Sequence, residues 1–170
     1  MSMSGLPSPL LDPSRWRSDV AEACRAADGK SGPVMVCLAG APGSGKTTLG
    51  REIRKKGLPG YPSRAVALID DGVMSVPFLG FFMRRFEAKC AVRDNLAPFS
   101  RWTAGKSIVV YVAIRPWERL DACDVLLRVR CSDTERAQRQ ALRGKKSRPS
   151  SVEPPAGWVG SARVLDLVTG

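Results

Sequence analysis

The amino-acid sequence predicts an α/β fold in which a parallel sheet of about five strands carries helices on both faces. Five short apolar runs support this prediction, at residues 33–39, 65–69, 107–114, 124–130 and 163–168. Apolar runs of this length, bounded by turn residues, are typical of strands that are buried on both sides of a parallel sheet. Stretches with helical periodicity separate the runs, and such alternation predicts parallel strand order. Functional residues are therefore expected beyond the carboxyl ends of the strands, where ligands of such sheets bind.

Four helices are expected, at about residues 14–27, 46–56, 77–93 and 133–142. In the first, apolar residues recur at spacings of four, four and three, which is the period of one helical face. The second is followed by Gly57 and then a proline, which are common helix stop residues. The third is unusually aromatic, because four phenylalanines fall within it.

A length of 170 residues fits one domain, which we place at 14–170 after an irregular lead-in at 1–13. No apolar run reaches the roughly 20 residues that a membrane span needs. The N-terminus also lacks the basic and apolar regions of a signal peptide. The five cysteines form no CxxC pair, which argues against a disulfide framework and a zinc site and favours a reducing, cytoplasmic compartment. The absence of histidine excludes histidine-based catalysis.

The chain is strongly basic: 27 basic residues against 16 acidic residues give a formal net charge of +11. Such a chain attracts polyanions, among them nucleotides, nucleic acids and anionic membranes. Part of the excess lies at 136–148, where six basic residues occur without an acid, and a smaller basic cluster lies at 84–93. A solvated basic surface is the structural alternative for both clusters.

A phosphate-binding loop follows the first strand. Residues 40–47 read Gly-Ala-Pro-Gly-Ser-Gly-Lys-Thr and satisfy the pattern G-x-x-x-x-G-K-[ST] in full. The glycines let amide groups turn inward around a phosphate, and the helix that begins at Lys46 adds its positive end. Lys46 is expected to reach the β- and γ-phosphates, and Thr47 to offer its hydroxyl to Mg²⁺. The sequence therefore predicts a site for ATP and Mg²⁺, formed by Gly40, Ala41, Pro42, Gly43, Ser44, Gly45, Lys46, Thr47 and Thr48.

Asp70 and Asp71 follow the second apolar run and are expected at the same edge of the sheet as the phosphate loop. A carboxylate there can accept a proton from a hydroxyl group or help to hold a metal ion. We expect Asp71 to act on an acceptor hydroxyl, with Asp70 near the metal ion or as the alternative base. The structural alternative is a turn or a helix cap, since Asp-Gly is a common turn pair.

The segment 133–148 is expected to form a lid. Arg136, Arg139 and Arg143 are three and four residues apart and would share one face of a helix. A mobile basic segment over the phosphates can neutralise charge in the transition state and exclude water, and Gly144 would allow it to hinge. Arg136 and Arg139 are accordingly expected to bind the nucleotide. The alternative is a solvated basic helix face without a catalytic part.

The order of these motifs resembles the P-loop kinases of the uridine kinase and pantothenate kinase-like group. The resemblance covers about residues 14–148 and includes the Gly-Lys turn at 105–107, the Trp-Glu-Arg-Leu segment at 117–120, and the arginines after the fourth strand. It implies a three-layer P-loop NTPase fold and a small-molecule kinase. It also implies that Asp71 is the catalytic aspartate and that Arg139 and Arg143 are lid arginines that contact the nucleotide and its phosphates.

The chain departs from that group at two places. The third strand ends in Ala113-Ile114-Arg115, where many relatives keep an acidic residue, and Val73-Met74 stands where the group has an aromatic residue or histidine. The first difference argues against an ATPase mechanism that needs a base at that strand end. The second means that the identity of the acceptor does not follow from the resemblance.

The acceptor is expected to bind at 72–104, where aromatic residues are interleaved with arginines that can hold a phosphate or carboxylate. The alternative there is the apolar face of a packing helix, since Phe78, Phe82 and Phe86 recur every four residues. The favoured function is transfer of the γ-phosphoryl group of ATP to a small-molecule hydroxyl. A polynucleotide kinase or other nucleic-acid-binding P-loop protein, and a nucleotide-binding regulator with little turnover, are the alternatives. No membrane partner is expected.

Overall fold

The computed structural model describes residues 9–29, 31–70, 75–78, 82–85, 96, 99–142, 144, 153–155, 157–158 and 162–169. Within them the strands are β1 (Val34–Ala39), β2 (Val66–Asp70), β3 (Ser75–Phe78), β4 (Phe82–Arg85), β5 (Ile108–Ala113), β6 (Val125–Arg130) and β7 (Arg163–Val168). The α-helices are α1 (Trp16–Ala27), α2 (Lys46–Lys56), α3 (Ser100–Thr103) and α4 (Asp133–Ala141).

Five strands form one parallel sheet in the order β2–β5–β1–β6–β7. β1 is therefore central, and its last residue, Ala39, is in register with Ala113 of β5 and Arg128 of β6. β1 and β5 are apolar throughout because both of their faces are covered. The predicted five-stranded parallel sheet is confirmed, and its topology brings the carboxyl ends of all five strands to one edge.

α1 and α2 cover one face of the sheet. Trp16, Val20 and Cys24 of α1 are buried against it, together with Leu49 and Ile53 of α2. The three α1 residues are spaced by four, as predicted for its inner face. Burying a large apolar side chain contributes about 1.5–3 kcal/mol, so packing fixes both helices to the sheet.

The opposite face carries a second apolar core. Phe99, Trp117 and Leu120 pack there with strand residues such as Tyr111. Trp158, which precedes β7, meets Trp117 edge to face with ring centroids 5.8 Å apart, and its Nε1 donates to the Leu120 carbonyl at 2.7 Å. The chain segment that returns to β7 is therefore attached to this face through Trp158.

The prediction of a helix at 77–93 is wrong for the residues that the structure describes there. β3 and β4 form an antiparallel hairpin in which Phe78 pairs with Phe82. A spacing of four fits a helical face, but it also allows the same two residues to pair across two antiparallel strands. Aromatic residues favour strands, which agrees with this pairing. Residues 79–81 and 86–93 of the expected helix lie outside the described residues.

Residues 9–11 extend the sheet beyond β7. The Leu11 N–H donates to the Asp166 carbonyl at 2.8 Å, and the Asp166 N–H donates to the Pro9 carbonyl at 3.1 Å. The Leu11 side chain is buried. The end of the expected irregular lead-in is thus paired with the sheet, while residues 1–8 lie outside the described residues.

Four basic side chains hold the loop between α2 and β2 by donating to its backbone carbonyls. These bonds join Arg17 to Gly57 (2.7 Å), Arg25 to Pro59 (3.2 Å), Arg54 to Ser63 (3.0 Å) and Lys106 to Arg64 (2.8 Å). Part of the positive charge of the chain therefore contributes to the fold.

In the part of the chain that the structure describes, none of the helices combines the length and the apolar character that crossing a membrane requires.

Candidate nucleotide-binding site

The phosphate loop lies at the carboxyl edge of the sheet, between the central strand and the helix that follows it. β1 ends at Ala39, and α2 begins at Lys46. Gly43 and Gly45 have φ angles of +87° and +93°, which a residue with a side chain rarely adopts. Gly45 directly precedes the first turn of α2, so the loop leads into a helix N-terminus. The first amide groups of a helix have no partner within it and carry partial positive charge.

Side chains hold four successive carbonyls of this loop. The bonds run from Lys46 Nζ to Ala41 (3.2 Å), from Gln140 Nε2 to Pro42 (2.7 Å), from Arg139 Nη1 to Gly43 (3.3 Å) and from Thr169 Oγ1 to Ser44 (2.8 Å). Two of the donors belong to α4 and one follows β7, so separate parts of the chain meet on the loop. In a planar trans peptide the N–H points opposite to the C=O. The amide groups therefore turn away from these donors.

Polar groups of the loop remain available for an anion. The N–H groups of Gly43 and Gly45 have no hydrogen-bond acceptor among the described residues. The Ser44 Oγ is buried and has no hydrogen-bond partner there either. A buried polar group without a partner costs about 1–3 kcal/mol, and a bound phosphate chain would satisfy these groups.

Lys46 and Thr47 are half-buried in the first turn of α2, whereas Thr48 is exposed. The Lys46 ammonium folds back over the loop to the Ala41 carbonyl. Its four-carbon stem is flexible, so the ammonium can exchange this carbonyl for a phosphate oxygen. The structure therefore places a positive charge beside the loop.

Asp70 ends β2 and is only 4% exposed. On this strand Val66 and Leu68 belong to the core under α2. Because side chains alternate along a strand, Asp70 lies on that same face. β5 separates β2 from β1, so the Cα of Asp70 is two strand spacings, about 10 Å, from the central strand. Asp71 lies outside the described residues, and its role stays a prediction.

α4 packs on the outer side of the loop. Its N-terminus is capped by Ser132, whose Oγ accepts the Glu135 N–H at 3.2 Å. Arg136 is 8% exposed and forms an ion pair with Asp133 at 2.6 Å. Its stem lies against the loop, since a Cβ at Gly43 would stand 3.2 Å from Arg136 Cγ. The helix predicted at 133–142 is thus a support for the phosphate loop.

Arg139 is half-buried on the same side of α4 and bonds the Gly43 carbonyl. Both Arg136 and Arg139 therefore meet the loop backbone, as their spacing within one helix face suggests. Contact of either arginine with a phosphate stays a prediction. Arg143 lies outside the described residues.

A cavity of about 280 Å³ opens between the ends of β1 and β6, beside the first residues of the loop. Arg128 lines it and binds Asp166 through Nε and Nη2, at 2.8 and 2.5 Å, and Glu153 through Nη1 at 2.8 Å. The hydrogen bonds to Asp166 raise the pKa of the Arg128 guanidinium above its usual range. Burial raises the pKa of the Cys131 thiol, another lining group, so that it stays protonated at neutral pH.

The end of β5 carries no carboxylate in line with the loop. Ile114 follows the strand and is 42% exposed, and Arg115 pairs with Glu118 at 3.2 Å. The nearest buried carboxylate at this edge among the described residues comes from β2, as Asp70.

A family model described as an AAA domain matches residues 36–153, which is more than half of the chain. The chain belongs to this family. It is a P-loop NTPase-like family that includes kinases, so the predicted three-layer P-loop NTPase fold is confirmed. No curated protein matches the chain. The finer resemblance to the uridine kinase and pantothenate kinase-like group stays a prediction.

The donor groups of this AAA domain fit Mg²⁺ bound together with phosphates. The described residues contain no group of three acidic, cysteine or histidine side chains that could hold a metal ion. Mg²⁺ prefers oxygen ligands and is usually held by one or two protein groups, substrate phosphates and water. Thr47, in the first turn of α2, and Asp70, at the end of β2, carry oxygen atoms of the kind that Mg²⁺ binds.

Two contacts of the AAA domain with its phosphate loop were not predicted from the sequence. Gln140 is four residues after Arg136 and so shares its helix face, which is a usable signal. Thr169 stands alone after β7, and no motif indicates that it binds the loop. Its position depends on the pairing of β7 with β6, which only the sheet order reveals.

Proposed function

We propose that this AAA-domain protein is an ATP-dependent phosphotransferase that moves the γ-phosphoryl group to a hydroxyl group of a small molecule, such as a nucleoside or sugar. The observation that carries the proposal is the shared position of the loop and a buried carboxylate. Lys46 and the loop amides lie at the end of β1, and Asp70 ends β2 on the α2 side of the same edge. Such a site combines charge stabilisation for phosphates with a group that can receive a proton.

In the proposed reaction the acceptor oxygen forms a bond to the γ-phosphorus, while the bond from that phosphorus to the β,γ-bridging oxygen breaks. ADP leaves with the electron pair, and the hydroxyl proton passes to a carboxylate. We propose that Asp71 accepts this proton, with Asp70 as the alternative base. Lys46, Arg139 and Arg143 would stabilise the charge on the transferred group.

Thr47 and Asp70 would hold Mg²⁺ through a hydroxyl and a carboxylate oxygen. When bound, the ion supplies positive charge that neutralises phosphate oxygens. The burial of Asp70 at the end of β2 supports this assignment. The acceptor site is proposed to include residues 72–104, and its ligand is proposed to be a small molecule.

A transfer assay on the full chain tests the proposal. The protein is incubated with Mg-ATP and a panel of nucleosides, sugars and vitamins, and ADP and phosphorylated products are measured. We expect ADP formation that depends on an acceptor. Lys46→Ala should remove nucleotide use, because the ammonium beside the loop is lost, whereas Lys55→Ala, on the exposed side of the same helix, should keep it.

The two aspartates are separated by their asparagine variants. Asp71→Asn should spare ATP binding and stop transfer, and Asp70→Asn should raise the Mg²⁺ concentration that half-maximal activity needs. If the Asp71→Asn variant keeps full transfer activity, Asp71 is not the base, and Asp70 becomes the candidate for that role. Nucleotide binding by the wild type, with neither transfer nor hydrolysis across the panel, would contradict the proposed reaction and favour a regulator.

A further inference from the structure

We propose that Gln140 and Thr169 are positioning residues of the nucleotide site. They hold the carbonyls of Pro42 and Ser44 and thereby orient the two loop amides that follow them toward the phosphates. This inference rests on the proposed function only in that it assumes a nucleotide in the loop.

The two bonds are short and come from fixed parts of the molecule. Gln140 is 4% exposed, and its Nε2 donates to the Pro42 carbonyl at 2.7 Å. Thr169 donates its Oγ1 to the Ser44 carbonyl at 2.8 Å. The Thr169 N–H donates to the Arg130 carbonyl at 2.8 Å, which ties this residue to the end of β6. The bond from Gln140 therefore fixes one loop peptide relative to α4, and the bond from Thr169 fixes another relative to the sheet.

The held carbonyls and the available amides belong to the same peptides. The Pro42 carbonyl shares its peptide plane with the Gly43 N–H, and the Ser44 carbonyl with the Gly45 N–H. Neither amide has an acceptor among the described residues. The Ser44 N–H, in contrast, donates within the loop to the Ala41 carbonyl at 3.1 Å. Gln140 and Thr169 thus act on two peptides whose amides are available to a phosphate.

A glycine loop needs such restraints. Each of the two peptides borders a glycine, whose backbone adopts φ of either sign at little cost, so the peptide plane can rotate. A donor on the carbonyl opposes this rotation before the ligand arrives. Binding to a loop that is already in its bound conformation costs less conformational entropy and is therefore tighter.

The test measures the Kd of Mg-ATP by calorimetry for single variants of the full chain. Gln140→Leu keeps the size of the side chain but removes the donor, and its matched control is Gln138→Leu on the exposed side of α4. We expect Gln140→Leu to raise the Kd about tenfold, since one hydrogen bond to a loop carbonyl is lost. The control should bind like the wild type.

Two variants of Thr169 test the inference independently. Thr169→Val removes the hydroxyl at constant shape, and Thr169→Ser restores it. We expect Thr169→Val to raise the Kd by a similar factor and Thr169→Ser to restore the wild-type Kd. The control variant Thr134→Val, at an exposed position of α4, should leave the Kd unchanged. At saturating nucleotide, kcat should change much less than the Kd, because both residues act on binding through the loop.

A merely structural role would lower the unfolding midpoint and leave the Kd unchanged. Wild-type affinity in folded Gln140→Leu and Thr169→Val would therefore overturn the inference. If Gln140→Leu fails to fold, the Kd values of Thr169→Val and Thr169→Ser decide whether the inference holds. A wild-type chain that does not bind Mg-ATP would overturn both this inference and the proposed function, and binding without transfer would contradict the proposed function alone.

Discussion

At Gly43 two constraints meet on a single residue. Its φ is +87°, and a Cβ there would stand 3.2 Å from Arg136 Cγ and 3.4 Å from Gln140 Cγ. The first constraint comes from the turn of the loop and the second from α4, which lies directly against it. A side chain at this position would therefore strain the backbone and separate the helix from the loop.

We expect Gly43→Ala to destabilise the protein by about 1–3 kcal/mol more than Gly105→Ala. Gly105 also has a positive φ, +69°, but a Cβ there would meet no atom within 4 Å. The second variant therefore measures the backbone cost alone. Urea unfolding of both variants gives the difference. Equal destabilisation would show that α4 does not crowd the loop at Gly43.

At the scale of elements, α4 has nine residues and is too short to be stable alone. Its cap and its contacts with the phosphate loop must keep it helical. Ser132 accepts the Glu135 N–H, and its hydroxyl is also 3.0 Å from a Glu135 carboxylate oxygen. The helix that supports the loop therefore depends on one serine at its start.

Ser132→Ala should lower the free energy of unfolding by about 1 kcal/mol, because an N-cap acceptor is lost. It should also weaken Mg-ATP binding, since α4 holds two loop carbonyls. Ser132→Asp keeps a cap and should keep both properties. Ser18→Ala, at an exposed position of α1, is the control. Unfolding and calorimetry check the prediction, and wild-type values in Ser132→Ala would contradict it.

Elements also show which parts of the fold a sequence can predict. The phosphate loop and its flanking strand and helix are local patterns, so residues 34–56 followed from the sequence. The phenylalanine spacing at 78–82 fits a helix and a hairpin equally, and only the chain's pairing decides between them. The hydrogen bonds from Gln140 and Thr169 to the loop join residues that are far apart in the sequence, so local patterns do not predict them. The roles of Asp71 and Arg143 stay predictions.

For the whole molecule, two buried thiols link stability to pH. Burial raises the pKa of Cys24 to about 12, and burial together with a hydrogen bond to Cys123 raises that of Cys37 well above its usual range. In the unfolded chain both thiols lose their protons near the ordinary value of about 9. The folded protein then binds more protons than the unfolded chain, so its stability falls as pH rises through this range.

We expect each thiol to contribute a loss of about 1.4 kcal/mol between pH 7 and pH 10. Cys24→Ala should remove its share of this loss and leave the share of Cys37. Urea unfolding under reducing conditions at several pH values measures both. A loss of the same size in the wild type and in Cys24→Ala would show that the Cys24 thiol is not the cause.

The net charge of the whole molecule makes a separate prediction. A net charge of +11 attracts polyanions without selecting a base sequence. We therefore expect single-stranded oligonucleotides to bind only non-specifically, with a Kd of about 10⁻⁴–10⁻⁶ M at physiological salt and steep weakening as salt increases. Fluorescence anisotropy across a salt series checks this. Nanomolar binding at physiological salt would favour the polynucleotide kinase alternative.

The ion pairs of Glu153 with Arg128 and Arg130, together with the attachment of Trp158 to Leu120, fix where the chain re-enters the sheet before β7. Contacts made by residues outside β7 thus help to align this strand with β6. The register of β7 is therefore supported by the segment that precedes it as well as by strand pairing, which opposes slippage of the strand along its neighbour.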